Sequence, residues 1–166
     1  GKSPDYIARL GIGFIPDDRR IFPELTVEDN LEIGRKSGPR GEEWTVDKVY
    51  ELFPALKDIA NRTGAHLSGG EQQMLAIGRA LMGNADLLLM DEPTQGLSPI
   101  LVSALSEQVG MLRKEGISML LCEQNLKVTT DLSDRIYVID TGRIQWEGSP
   151  KDLQENKEVQ KKYLLI

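Results

Sequence analysis

The chain has 166 residues, of which 40% are hydrophobic and 28% are charged, values typical of one soluble globular domain. Its formal net charge of -6 argues against a surface that neutralises nucleic-acid phosphates, so we expect no nucleic-acid partner. With one cysteine, Cys122, and one histidine, His66, the chain can form neither an internal disulfide nor a Cys/His metal cluster.

The first part of the chain predicts one strand followed by helices. The run RLGIGFIP predicts a buried strand, and a charged turn follows at residues 17–20. Thr26 and Asp29 predict a helix start with reciprocal capping. We expect this helical region, about residues 18–66, to form a semi-independent subdomain between α/β parts.

The middle of the chain alternates helices with apolar strands. Gly69 and Gly70 predict a turn before a helix that runs to about Met82, and the buried strand DLLLMDE follows. Another helix and the buried strand SMLLC repeat this order. The sequence therefore predicts a parallel α/β architecture.

Turn-forming residues mark the remaining boundaries. Glycine and proline between Ser37 and Glu43 predict a break before Thr45 starts the next helix. The runs RIYVI and RIQWEG, joined by a glycine-containing loop, predict a β-hairpin. Two short helices are expected to close the chain.

The stretch LSGGEQQ, residues 67–73, stands directly before an amphipathic helix. Its glycines permit close backbone approach, and the helix start offers unpaired N–H groups at the positive end of the dipole, which together suit a phosphate. A serine-capped helix with a glycine turn explains the same stretch, because N-cap serines are common.

Two adjacent carboxylates, Asp91 and Glu92, end the apolar strand LLLMDEP. Ligands of open α/β sheets bind at this end of the strands. Asp91 would help to hold Mg²⁺, and Glu92 would orient and deprotonate an attacking water. A solvated acidic turn is the alternative for such a pair taken alone.

These motifs occur in order and are followed by TQGLSP and LLCEQN. Together they resemble the ABC ATPase family, because LSGGEQQ matches its signature sequence, LLLMDE its Walker B segment and GLSP its D-loop. Four segments are further similar to the ATPase subunits of branched-chain amino acid importers and urea importers: IPDDRRIFPELTVEDNL, GRALMGNADLLLMDEP, LLCEQN and EVQKKYLLI.

The resemblance implies a set of site residues. Gln124 stands at the family's switch histidine, where it can hydrogen-bond a γ-phosphate but cannot carry a histidine's charge. Asp17 stands at the family's Q-loop glutamine. The implied residues are Glu92 and Gln124 for catalysis, Ser68, Gly69, Gly70, Glu71 and Ser98 for ATP, and Asp91 and Asp17 for Mg²⁺.

The family's phosphate-binding loop, G-x-x-x-x-G-K-[ST], has no complete copy in the sequence. Residues 1–3, Gly-Lys-Ser, stand immediately before RLGIGFIP, so we interpret them as an ordinary polar loop. We expect residues 1–166 to be the C-terminal part of one ABC ATPase domain, a P-loop NTPase-like α/β fold with a helical subdomain, missing its N-terminal strands and Walker A loop. Residues 67–166 would hold the signature, Walker B, D-loop, switch region and C-terminal segment. We expect exposed apolar surface on its sheet and no activity of the fragment alone.

The implied function is that of an ATP-hydrolysing subunit that powers an ABC importer, with branched-chain amino acids as the favoured solute. The implied partners are ATP, a second ATPase subunit in a homo- or heterodimer, transmembrane permease subunits and, indirectly, a periplasmic or extracellular solute-binding protein. The implied location is cytoplasmic, on the inner face of the cell membrane. Alternatives are a urea or amide importer ATPase, an ABC ATPase of DNA repair or ribosomes, and an inactive fragment that only folds or binds.

Overall fold

The computed structural model describes residues 1–37 and 43–164, and these residues group into two compact units, 1–122 and 123–166. Most of the predicted break between Ser37 and Glu43 therefore lies outside the described residues. The elements are α1 (Pro4–Arg9), β1 (Ile12–Ile15), α2 (Val27–Glu32), α3 (Val46–Leu52), α4 (Pro54–Asp58), a 3₁₀ turn (Gly64–His66), α5 (Gly69–Met82), β2 (Leu87–Asp91), α6 (Pro99–Lys114), β3 (Ser118–Cys122), α7 (Leu126–Leu132), β4 (Ile136–Asp140), β5 (Arg143–Gly148), α8 (Pro150–Glu155), α9 (Lys157–Val159) and a π-helical turn (Gln160–Leu164).

The first unit contains a three-stranded parallel sheet in the order β1-β2-β3, which confirms the predicted architecture. On one face Leu88 and Met90 are buried. On the other face Phe14 pairs with Leu89 and Leu89 with Leu120, and 58% of Phe14 and 55% of Leu120 are exposed. The prediction of buried strands is therefore wrong for this face of β1 and for the whole of β3, whose residues are exposed or half-buried. The predicted exposed apolar surface is confirmed.

Helix α5 begins at the first glycine of the LSGGEQQ stretch. Ser68 caps this helix directly, and Gly69 and Gly70 lie within its first turn. The predicted glycine turn before the helix is therefore wrong. Because Ser68 is the N-cap, the two glycines that follow it are already helical. The predicted helix end at Met82 is confirmed.

Helices α2, α3 and α4 pack on α5. The contact is tight at Gly78, where an added Cβ would lie 2.7 Å from Val49 Cγ1 and 3.0 Å from Leu31 Cδ2. Val49 and Leu31 are fully buried. Helix α5 carries the LSGGEQQ stretch and is called the signature helix below. It lies outside residues 18–66, so the predicted helical subdomain shares its core with this helix. The boundary of the subdomain stays a prediction.

The capping predictions in this helical region hold. Thr26 accepts a hydrogen bond from the Asp29 N–H, and the Asp29 side chain accepts one from the Thr26 N–H, so the reciprocal cap of α2 is confirmed. Thr45, where the next helix is predicted to start, caps α3 by accepting a hydrogen bond from the Lys48 N–H. Both helix starts are decided by residues within one turn, which is why the sequence pattern finds them.

The second unit contains the antiparallel β4-β5 pair and the short helices α7, α8 and α9. Thr141 and Gly142 join the strands with φ angles of 47° and 72°, the left-handed values that a two-residue hairpin turn requires. The predicted hairpin and closing helices are confirmed. The core of this unit consists of Ile136, Val138, Leu153 and Val159.

None of the helices within residues 1–37 and 43–164 combines the length and the apolar character that a membrane span requires.

Candidate functional site

The start of α5 is held by a reciprocal cap. The Ser68 N–H donates to Glu71 Oε2 at 2.6 Å, and the Glu71 N–H donates to Ser68 Oγ at 3.4 Å. The N–H groups of a helix's first turn have no acceptor inside the helix, so those of Gly69 and Gly70 are suited to an external anion. The capped-helix interpretation is thus correct and is compatible with phosphate binding.

Glu71 lies in an environment that keeps it ionised. Burial alone would raise the pKa of the Glu71 carboxyl, but its hydrogen bonds with Ser68 and the positive charge of Arg62 outweigh burial and hold that pKa below its usual value. Arg62 Nη1 lies 3.3 Å from Glu71 Oε1. The carboxylate therefore supports the helix start, and its predicted contact with ATP stays a prediction.

Asp91 and Glu92 lie at the carboxyl end of β2, where the sequence places them. Asp91 pairs with Cys122 of β3, and the Glu92 N–H donates to the Cys122 carbonyl at 2.9 Å. Glu92 has a φ of 43°, the left-handed region that side-chain-bearing residues rarely adopt. Its Oε2 accepts a hydrogen bond from Gln95 Nε2 at 2.8 Å. This carboxylate is therefore oriented by both its backbone and its side chain.

The predicted Mg²⁺ ligands are two separate carboxylates. Asp91 is half-buried, whereas Asp17 is exposed and its Oδ1 accepts the Asp18 N–H at 2.8 Å. Among residues 1–37 and 43–164, no group of three or more His, Cys, Asp or Glu side chains could hold a metal. Mg²⁺ is commonly bound by one or two carboxylates together with substrate phosphates, so Asp91 fits an ion that arrives with a nucleotide.

The remaining predicted residues are exposed. Ser98 caps α6, where its Oγ accepts the Leu101 N–H at 3.4 Å. Gln124 belongs to the second unit, and its N–H donates to Glu123 Oε2 at 2.8 Å. Their roles stay predictions.

Arg19, which the sequence does not single out, connects the loop after β1 with the start of α5 and with the segment after β2. The Arg19 guanidinium donates to Gln73 Oε1 at 3.1 Å, to Gln72 Oε1 at 3.4 Å and to the Gln95 carbonyl at 3.2 Å. It also lies against Gly69, where an added Cβ would be 3.2 Å from Nη1. The only local signal was the charged turn at 17–20, because the partners are distant in the chain.

The chain is similar to known proteins in sequence and in fold. The profile of the ABC transporter family matches residues 3–95, which is more than half of the chain. This chain belongs to the ABC transporter family. The predicted family and the predicted fold of an ABC ATPase are thereby confirmed.

Two relatives and one solved structure extend the likeness to nearly the whole chain. The high-affinity branched-chain amino acid transport ATP-binding protein BraG of Pseudomonas aeruginosa is 44% identical over 99% of this chain and 71% of the relative. The lipopolysaccharide export system ATP-binding protein LptB of Haemophilus influenzae is 34% identical over 95% of this chain and 66% of the relative. The crystal structure of a nucleotide-free ATP-binding cassette from an ABC transporter matches with a TM-score of 0.75 and 29% identity, over 95% of this chain and 70% of that one.

Proposed function

We propose that this chain is part of an ATP-hydrolysing subunit that powers an ABC importer of branched-chain amino acids. The observation that carries the proposal is the oriented Glu92 carboxylate at the end of β2 in an ABC family chain. The solute class is supported by the 44% identity with the branched-chain amino acid transport relative, against 34% for the lipopolysaccharide export relative.

The chemistry assigned to β2 is transfer of a phosphoryl group to water. Gln95 holds one oxygen of Glu92, so the carboxylate is positioned to orient the attacking water and accept its proton. Asp91 would hold Mg²⁺, which when bound neutralises charge on the phosphate oxygens. Phosphoryl transfer depends mainly on positioning and charge stabilisation. The left-handed backbone of Glu92 would serve this reaction by fixing the direction of the carboxylate.

The start of α5 would act on the nucleotide of a second copy. Two subunits would sandwich ATP, with Ser68, Gly69 and Gly70 of one copy facing the phosphate-binding loop of the other. Ser98, at the start of α6, would lie at the same interface. The capped helix start supports this role because its unpaired N–H groups and dipole favour a γ-phosphate.

The permease would dock beside the segment from Asp17 to about Gly34, at the inner face of the membrane. A cavity of about 340 Å³ lies between this segment, β1 and α5. Its lining includes Phe22 and Ile33, which are partly exposed apolar side chains, and the cationic Arg79. Such a surface suits a short cytoplasmic helix with an apolar face and an acidic group.

Steady-state ATP hydrolysis by the complete subunit tests the chemistry. Glu92→Gln should lower turnover by at least about a hundredfold, because general-base assistance is typically worth about 10²- to 10⁴-fold. Glu107→Gln, a change of the same kind at an exposed position of α6, should leave turnover unchanged. A loss of less than about tenfold for Glu92→Gln would reject Glu92 as the base.

Reconstitution with the permease and binding protein tests the solute. Leucine-loaded binding protein should stimulate ATP turnover, whereas urea should not. Stimulation by urea or lipopolysaccharide instead would reject the proposed solute while leaving the ATPase assignment in place.

A further inference from the structure

The loop after β1 has an unusual backbone at two adjacent arginines. Arg19 and Arg20 have φ angles of 61° and 44°, in the left-handed region that residues with side chains rarely adopt. The Arg19 N–H donates to the Pro16 carbonyl, which closes a tight turn. The turn directs the Arg19 side chain toward α5 and the Gln95 carbonyl.

Two of the three partners of Arg19, Gln72 and Gln95, lead in one further step to a segment of the proposed ATP site. Gln72 donates from Nε2 to the Leu67 carbonyl at 3.2 Å, directly before the Ser68 cap. Gln95 accepts from Arg19 at its carbonyl and donates from its side chain to the Glu92 carboxylate. The first turn of α5, residues 68–72, is called the signature turn below. One guanidinium therefore connects the loop after β1 to the signature turn and to Glu92.

A flat guanidinium suits this position better than another cation would. Its N–H donors point outward in a fixed arrangement, so one group can serve several separate acceptors. The acceptors here are two amide oxygens and one carbonyl oxygen. Three such contacts fix the orientation of the Arg19 side chain. An exposed ion pair such as Arg9 with Asp5 does not fix its arginine in this way.

We propose that Arg19 is a positioning residue that ties the loop after β1 to both the signature turn and the Glu92 carboxylate. The inference rests on the proposed function, since it assigns the tie a role in hydrolysis. A displacement of the loop would shift the signature turn and the hydrogen-bonded side chains of Gln95 and Glu92 together. The loop is the first part of the segment assigned to the permease, so the tie would carry the permease's movement to both groups.

Kinetics of the complete subunit test the role. Arg19→Ala should lower kcat by about ten- to a hundredfold, because displacement by about 1 Å can cost that much. The KM for ATP should change by less than about threefold, since no lost contact touches the nucleotide. Arg19→Lys should not restore kcat, because an ammonium cannot serve three acceptors arranged around a plane. Arg9→Ala, the matched control, should behave as wild type. Full rescue by lysine, or a loss below about twofold for alanine, would overturn the proposal.

Hydrogen exchange on the 166-residue chain without nucleotide tests the tie itself. Arg19→Ala should speed exchange by at least about threefold at residues 71 and 72, whose N–H groups bond Ser68, and in residues 92–97, since segments that are held less firmly open more often. Gln73→Met, which removes one acceptor at similar volume, should affect residues 71 and 72 more than residues 92–97. Unchanged exchange in both segments would refute the tie whatever the kinetics show. If Glu92→Gln keeps hydrolysis, the proposed function fails; if Glu92→Gln abolishes it and Arg19→Ala does not, only this inference fails.

Discussion

The close packing of Gly78 of α5 against Val49 and Leu31 predicts the effect of one added methyl group. In Gly78→Ala the new Cβ would lie 2.7 Å from Val49 Cγ1 and 3.0 Å from Leu31 Cδ2, well inside ordinary van der Waals contact of about 3.5–4.0 Å. Both neighbours are fully buried. Helix α3 and the signature helix must therefore separate, or Val49 must leave its rotamer.

The expected magnitude combines two opposing effects. Overpacking a core by one carbon typically costs about 1–3 kcal/mol. Alanine returns about 1 kcal/mol relative to glycine in a helix interior. The free energy of unfolding of Gly78→Ala should therefore fall by about 1 kcal/mol, which corresponds to about 2–4 °C in Tm for a chain of this size.

A double-mutant cycle followed by urea unfolding isolates the clash. In a Val49→Ala background Cγ1 is gone, so Gly78→Ala should become neutral or stabilising by up to about 1 kcal/mol. In a Val109→Ala background, where the buried valine belongs to α6, the cost of Gly78→Ala should be unchanged within about 0.5 kcal/mol. Equal costs in all three backgrounds would refute the packing argument.

Two further predictions concern the start of the signature helix. Because the folded pKa of Glu71 is lowered, its carboxylate stabilises the fold above its unfolded pKa of about 4.3 and loses that effect as pH falls through the folded value. Glu71→Gln should therefore be less stable than wild type by about 1 kcal/mol at pH 7, with a smaller difference at pH 3 in urea titrations; a difference independent of pH would contradict this. In the complete subunit, Ser68→Arg should abolish ATP hydrolysis while monomer ATP affinity, measured by calorimetry, stays within about threefold. Equal losses of affinity and hydrolysis would place Ser68 in the site of its own copy.

The features that the sequence predicts correctly depend on neighbours in the chain. The caps at Thr26, Thr45 and Ser68 each involve residues within one helical turn, so their pattern is visible in the sequence. The apolar runs of β1, β2 and β3 likewise reveal strands. They do not reveal which face is covered, since Phe14 and Leu120 have the same apolar character as the buried Met90.

The candidate site also contains residues that the sequence predicts and residues that it does not. Asp91 and Glu92 follow directly from an acidic pair at the end of an apolar strand. The contacts of Arg19 are different, because its partners lie 53 to 76 residues further along the chain. No local pattern records such a contact, and only the packing of α5 and β2 beside β1 brings these groups together.

In the proposed function two copies share ATP, and the Glu92 carboxylate is needed to hydrolyse it. The most direct measurement is the ATP-dependent mass of the Glu92→Gln complete subunit, by size-exclusion chromatography with light scattering. The glutamine keeps the side-chain shape and Asp91 remains to hold Mg²⁺, so a dimer should form with Mg·ATP and persist, whereas the wild type returns to monomer as ATP is consumed. A variant that stays monomeric in Mg·ATP while its turnover is lost would contradict the claim, because Glu92 would then be required for assembly.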